Sequence, residues 1–101
     1  MKTIKAIHID ENDNCVTLTG FADTGDSVTF LAFGEERAVT ARGNTPVWHK
    51  MSIKPVKKGD NVYKYGAVIG TATKDIEAGE HIHIHNIRSP GYAFEVTEAG
   101  D

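Results

Sequence analysis

Apolar and polar residues alternate along most of this chain, in short runs with a period of two. "TIKAIHI" (residues 3–9) places Ile4, Ala6 or Ile7, and Ile9 at apolar positions and ends in the turn-rich "DENDN". "CVTLTGF" follows, then the turn "ADTGD", then "SVTFLAF", a turn at "GEE", and "RAVTA" before "RGNTP". The runs are β-branched or aromatic and the breaks are rich in Gly, Asn and Asp. Residues 35–41 are the one stretch a helical turn would fit, and Val39 and Thr40 weigh against it. No segment has the length and capping box of an ordinary helix. The pattern predicts a mainly β protein.

The second half contains a repeat. "KPVKKGDNVY" (54–63) aligns without a gap on "KDIEAGEHIH" (74–83). In each copy Lys leads, an aliphatic follows (Val56, Ile76), then glycine (Gly59, Gly79), an acid (Asp60, Glu80) and a second aliphatic (Val62, Ile82). Glycine supplies a turn conformation closed to other residues, the acid caps or solvates that turn, and the next aliphatic opens a strand. Two such copies predict two equivalent corners of one compact β-structure. Two are too few for a solenoid.

Composition narrows the class. The chain has 101 residues, 40% of them apolar and 25% charged, with a formal net charge of −3. That length predicts one domain with a small core and little room for a deep, self-contained active site. Without a basic surplus, nucleic acid is not an expected partner. The one cysteine, Cys15, forms no internal disulfide and reads as a small buried side chain rather than a reactive thiol. No stretch resembles a signal peptide or a membrane span, so a cytoplasmic location and no membrane partner are expected.

The chemistry concentrates in "AGEHIHIHNI" (78–87), where His81, His83 and His85 alternate with Ile82 and Ile84, followed by Ile87. On an extended strand alternate histidines start about 6.6 Å apart and the outer pair about 13 Å. Neighbours could share an ion bound at about 2.0–2.1 Å, while all three on one ion would strain the strand. The residues alone therefore leave two readings open, a two-histidine metal site completed from elsewhere or the wet face of a strand. Asp10, Asp13 and Asn14 suit a hard cation or a hairpin turn, with the turn favoured. His8 reads as strand surface.

The unit "D-[IV]-x-x-G-[DE]-x-[IV]" at residues 75–82 resembles the corner motif of SAF domains, which have the β-clip fold. With "HK" (49–50), "YKYGAVIGTAT" (63–73) and "HIHIHN" (81–86), the chain resembles the N-terminal domain of the altronate and galactarate dehydratase family. The small subunit of sulfolactate sulfo-lyase belongs to the same family. The resemblance implies one SAF-like domain over residues 1–101. Its parts would be N-terminal hairpins at 1–45, the best-matched core at 46–88, and a C-terminal edge strand and tail at 89–101. "AIHIDENDNCVTL" is similar to the family's opening hairpin, but Asp10-Glu11 replace its His-Pro pair, so no role passes to His8. Trp48 stands where the family pattern has glycine.

The resemblance further implies a lyase that removes water or sulfite from a hydroxy acid by taking a proton next to a carboxylate. It implies a divalent metal, iron(II), held here or only together with a large subunit, and most of the catalytic machinery on a larger chain. The expectation is a small subunit, inactive alone, of a hydro-lyase in carbohydrate metabolism acting on altronate or galactarate. The alternative leaving group is the sulfite of sulfolactate. The matched positions nominate His49, Lys50, His85 and Asn86 as catalytic, with Asn86 binding a substrate hydroxyl or orienting His85. They nominate Lys64, Tyr65 and Gly66 as substrate-binding, although Tyr65-Gly66 reads by residue type as a turn. If a metal binds, His85 with His83 or His49, completed by oxygen ligands from outside, is the expected ligand set. Two other classes stay open: a non-catalytic SAF-type module binding carbohydrate or another ligand, and a self-standing metal-binding protein. Self-association through an edge strand is open as well.

Overall fold

A computed structural model describes residues 1–88. Nine strands form two sheets, and no helix occurs among the described residues. The strands are β1 (Thr3–Ile7), β2 (Cys15–Leu18), β3 (Ser27–Ala32), β4 (Glu35–Thr40), β5 (Lys50–Ser52), β6 (Asn61–Lys64), β7 (Ala67–Ala72), β8 (His81–Ile82) and β9 (Ile87–Arg88). The larger sheet runs β4-β3-β1-β2-β5-β8 and the smaller β6-β7-β9. β1 and β3 pair in parallel, and the other strand pairs are antiparallel. The mainly β reading holds.

Strand boundaries follow from turn chemistry. The stretch that a helical turn would have fitted is strand β4, paired along its whole length with β3. The turn before it falls at Phe33-Gly34 rather than "GEE", because both residues adopt positive φ (53° and 75°) and close the hairpin with two residues. Tyr65-Gly66 (57° and 77°) does the same between β6 and β7. Asp13 clamps this second turn: its carboxylate accepts from the Tyr65 and Gly66 amides at 2.9 and 2.8 Å, and from the Asp10 amide at 3.1 Å. Burial alone would push the Asp13 carboxyl up, but the donated amides of Gly66, Asp10 and Tyr65 hold it below the ordinary carboxylate range. "DENDN" is thus a turn that organises a second turn.

β2 is buried along both faces because it lies between two cores. Val16 and Leu18 pack with Ile4, Val28, Phe30 and Met51 on one side. Cys15 packs with Val56, Val62, Ala72, Ile76 and Ile82 on the other. Its thiol contacts the Tyr63 carbonyl at 3.4 Å, and burial pushes it up to about 12, which leaves it inert near neutral pH. Ile9, read as an apolar strand position, lies beyond β1 and is exposed.

The repeat is richer than its sequence. Four corners, not two, share one geometry: 22–27, 45–50, 56–61 and 76–81. In each, the amide of the fifth residue donates to the carbonyl of the second (Asp26 to Asp23, His49 to Pro46, Asp60 to Lys57, Glu80 to Glu77). The fourth residue has positive φ: Gly25, Trp48, Gly59 and Gly79. Its amide donates to a carbonyl in or just beyond a neighbouring strand, at Ala41, Leu18, Ala72 and Ser52 respectively. The corners are joined in pairs through the bridges Ala22–Thr45 and Val56–Ile76. The expected C-terminal edge strand lies outside the described residues.

Candidate functional site

The second and fourth corners deliver the histidines. β5 starts directly after His49 and β8 starts at His81, and the two strands pair antiparallel with Lys50 opposite Ile82 and Met51 opposite His81. Continuing that register sets His49 across from His83, and Cβ alternation puts His49, His81 and His83 on one face. The rings confirm it. His49 lies 5.0 Å from His81 and 4.8 Å from His83, centroid to centroid, and His81 stacks on His83 at 5.7 Å. His49 Nδ1 and His81 Nε2 are 2.8 Å apart.

The extended row of three histidines does not form. β8 ends at Ile82, and residues 83–86 turn. Asn86 causes the break: its side-chain oxygen accepts from the His83 amide at 3.0 Å and its Nδ2 donates to the His81 carbonyl at 2.8 Å. Such side-chain bonds compete with the sheet ladder for the same backbone groups. The turn leaves Ile84 83% exposed rather than in a core. It also folds His85 back, so that its ring lies 5.3 Å from His81 instead of continuing outward.

The nominated residues therefore separate. One ring nitrogen from each of His49, His81 and His83 can be chosen so that all three lie within 4.8 Å of one another. His85, expected as a metal ligand, stands beside this trio and not in it. His81, which the expected ligand set left out, belongs to it, its ring within 5.7 Å of those of His49, His83 and His85. Burial, followed by the charges of His49, His85, His83 and Lys50, lowers the His81 ring to about 4, so it stays neutral and able to bind a cation through neutral pH. Lys50 shares a face with Ile82, away from the trio, and its charge and that of Lys64 are felt at Cys15. The Lys64 ammonium lies 4.8 Å above the Tyr65 ring. Tyr65 and Gly66 form the hairpin turn clamped by Asp13. Asn86 is 1% exposed with both amide atoms committed to backbone, so it shapes the loop rather than facing a ligand.

Nitrogens bound at 2.0–2.1 Å to one tetrahedral ion sit about 3.4 Å apart, so modest ring rotations bring the trio onto a single ion. The donor set is three imidazoles, suited to zinc, iron, nickel or copper rather than to magnesium or calcium. Sequence reasoning missed the cleft next to His81, about 450 Å³, lined by Arg42, Gly43, Asn44, Glu80, His81 and His85. "RGN" carried no signal beyond a turn.

Residues 4–90 match the altronate/galactarate dehydratase SAF domain. The altronate dehydratase of Bacillus subtilis (strain 168) is 32% identical over 89 residues, which is 88% of this chain and 17% of the relative. That of Escherichia coli (strain K12) is 44% identical over 55 residues, 54% of this chain and 11% of the relative. The (2R)-sulfolactate sulfo-lyase subunit alpha of Paracoccus pantotrophus is 41% identical over 51 residues, covering 50% of this chain and 76% of that one. The chain thus spans under a fifth of the dehydratases it resembles and most of a protein named as a subunit. No helix among the described residues is long and apolar enough to cross a membrane.

Proposed function

The chain belongs to the altronate/galactarate dehydratase SAF-domain family, and from that premise we propose that it is the SAF unit of a hydroxy-acid lyase. In this reading it works as a separate small subunit whose active site a larger chain completes. The observation that carries the reading is the convergence of His49, His81 and His83, with His85 beside them, on one rim of the β5–β8 pair. A purely scaffolding domain has no need to gather four imidazoles.

Elimination next to a carboxylate removes the α-proton, moves the C–H electron pair into a carbon–carbon double bond, and breaks the β-carbon–oxygen bond as a proton joins the departing hydroxyl. It needs a base, an acid and a positive centre. His49, His81 and His83 would hold the divalent ion, iron(II), which supplies a Lewis acid for substrate oxygens. His85 is the proton-handling group, exposed and next to His81. Asn86 positions His81 and His83 through the backbone groups it clasps, and so shapes the turn that carries His85. Lys50 lies off this face and is given no substrate contact. Support for the two-chain arrangement comes from the relatives named as subunits. Those relatives also favour a second reading, in which the bond broken is carbon–sulfur and the leaving group is sulfite.

The test is to purify the tagged chain from its own host and assay the eluate with altronate, galactarate and sulfolactate. A larger chain co-eluting with turnover of one of these acids is expected, and the acid names the leaving group. A chain that elutes alone and turns over none of them would overturn the proposal.

A further inference from the structure

We infer that the cleft beside the histidine trio is a receptor for the carboxylate end of a polyhydroxy acid, with Arg42 as the residue that recognises the anion. The choice of substrate class rests on the lyase reading above; the binding itself does not.

Arg42 is held in place by the fourth corner. Its amide donates to the Gly79 carbonyl at 2.9 Å. Gly79 has φ +93°, and a Cβ there would fall on the Thr40 carbonyl oxygen and come within 3.1 Å of the Arg42 Cγ. The absence of that carbon lets the arginine stem lie close against the corner whose next residues are Glu80 and His81. Among the described residues no carboxylate pairs with the Arg42 guanidinium; the ion pairs are those of Lys2 and Arg37. Asn44 closes another side, its Oδ1 accepting from the Thr24 amide at 3.2 Å, which orients its Nδ2 as a donor. His81 and His85, 5.3 Å apart, complete the lining.

Guanidinium, amide and imidazole all present N–H donors, the complement of a carboxylate. Glu80 is the acceptor in this wall. It suits hydroxyls on the carbons next to the carboxylate and repels a second anionic centre close by, so a hydroxylated acid fits better than a compact dianion such as sulfate. A volume of about 450 Å³ accommodates a six-carbon acid. His81 belongs to both the cleft and the trio, so the cleft that Arg42 lines opens beside the imidazoles.

The experiment is a titration of the full chain, followed by amide nuclear magnetic resonance shifts, with altronate, its uncharged alcohol altritol, and sulfate. Saturable shifts with altronate are expected at residues 42–44 and 80–85, weaker ones with sulfate and none with altritol. Arg42→Gln, at an exposed side chain, should keep the fold's spectrum and weaken altronate binding about fivefold or more. The inference is overturned if altronate leaves these amides unmoved, if altritol shifts them equally, or if Arg42→Gln binds as tightly as the parent. Binding to the chain alone with no turnover in the co-purified material would remove the lyase reading and leave the receptor.

Discussion

At the scale of single residues, Trp48 is the informative one. It occupies the corner position that is glycine in the three other copies, with φ 66°. The left-handed region costs an L-residue about 1–2 kcal/mol, offset in part by the extra chain entropy glycine loses on folding, about 0.5–1 kcal/mol. Trp48→Gly is therefore expected to stabilise the fold by about 0.5–1 kcal/mol, read as a higher urea midpoint. A lower midpoint would mean that the indole makes contacts worth more than the strain. Asp26 gives a second prediction. The Lys2 side chain, the Lys2 amide and the Asp23 amide all donate to its carboxylate and hold it at about 2, against 3.8 unperturbed. A folded-state value below the unfolded one adds stability that is complete above pH 4 and lost as pH falls through 2. Thermal unfolding followed by circular dichroism should show Tm falling across that window, and Asp26→Asn should lower Tm at pH 7 while flattening the fall.

Among the elements, the corners and the β5–β8 pair set the behaviour. Gly25 and Gly59 have open space where a Cβ would go, whereas Gly79 has Thr40 backbone there. Alanine at Gly25 or Gly59 should cost only the left-handed strain less the same entropy offset, about 0.5–1 kcal/mol. Alanine at Gly79 adds overpacking and should cost about 3 kcal/mol or more in the same urea measurement. The trio is a property of strand pairing, since β5 and β8 supply its members from residues 49 and 81–83. Calorimetric titration with Zn²⁺ or Ni²⁺ should find one site per chain. His83→Gln, at an exposed side chain, should weaken it about tenfold or more and His8→Gln should leave it unchanged. Equal affinity in parent and His83→Gln would sink the trio.

At the scale of the molecule, what the sequence disclosed depended on whether the signal was local. Period-two alternation and the Lys-aliphatic-Gly-acid unit are local, so the β class and two corners were readable. The first corner escaped because Ala22 replaces the branched aliphatic, and the second because Trp48 replaces glycine. The site depended on register. Nothing within 81–86 announces that Asn86 will take the backbone bonds that would have prolonged β8, and nothing near His49 announces that β5 will lie against it. Lys50, next in sequence to His49, was nominated with it, yet adjacent residues on a strand face opposite ways. The two-core plan, divided by β2, likewise appears only when strands far apart in sequence pair.

Trp48 also has an optical consequence. It is the chain's one tryptophan, 64% exposed in the folded protein and next in sequence to His49. Its emission in the folded state should already be that of an indole in water, so unfolding will shift it little and fluorescence will be a poor monitor of denaturation. A partner that settles over the second corner would dry the ring and move its emission to the blue. A signal nearly silent to folding would then report assembly, with no label added.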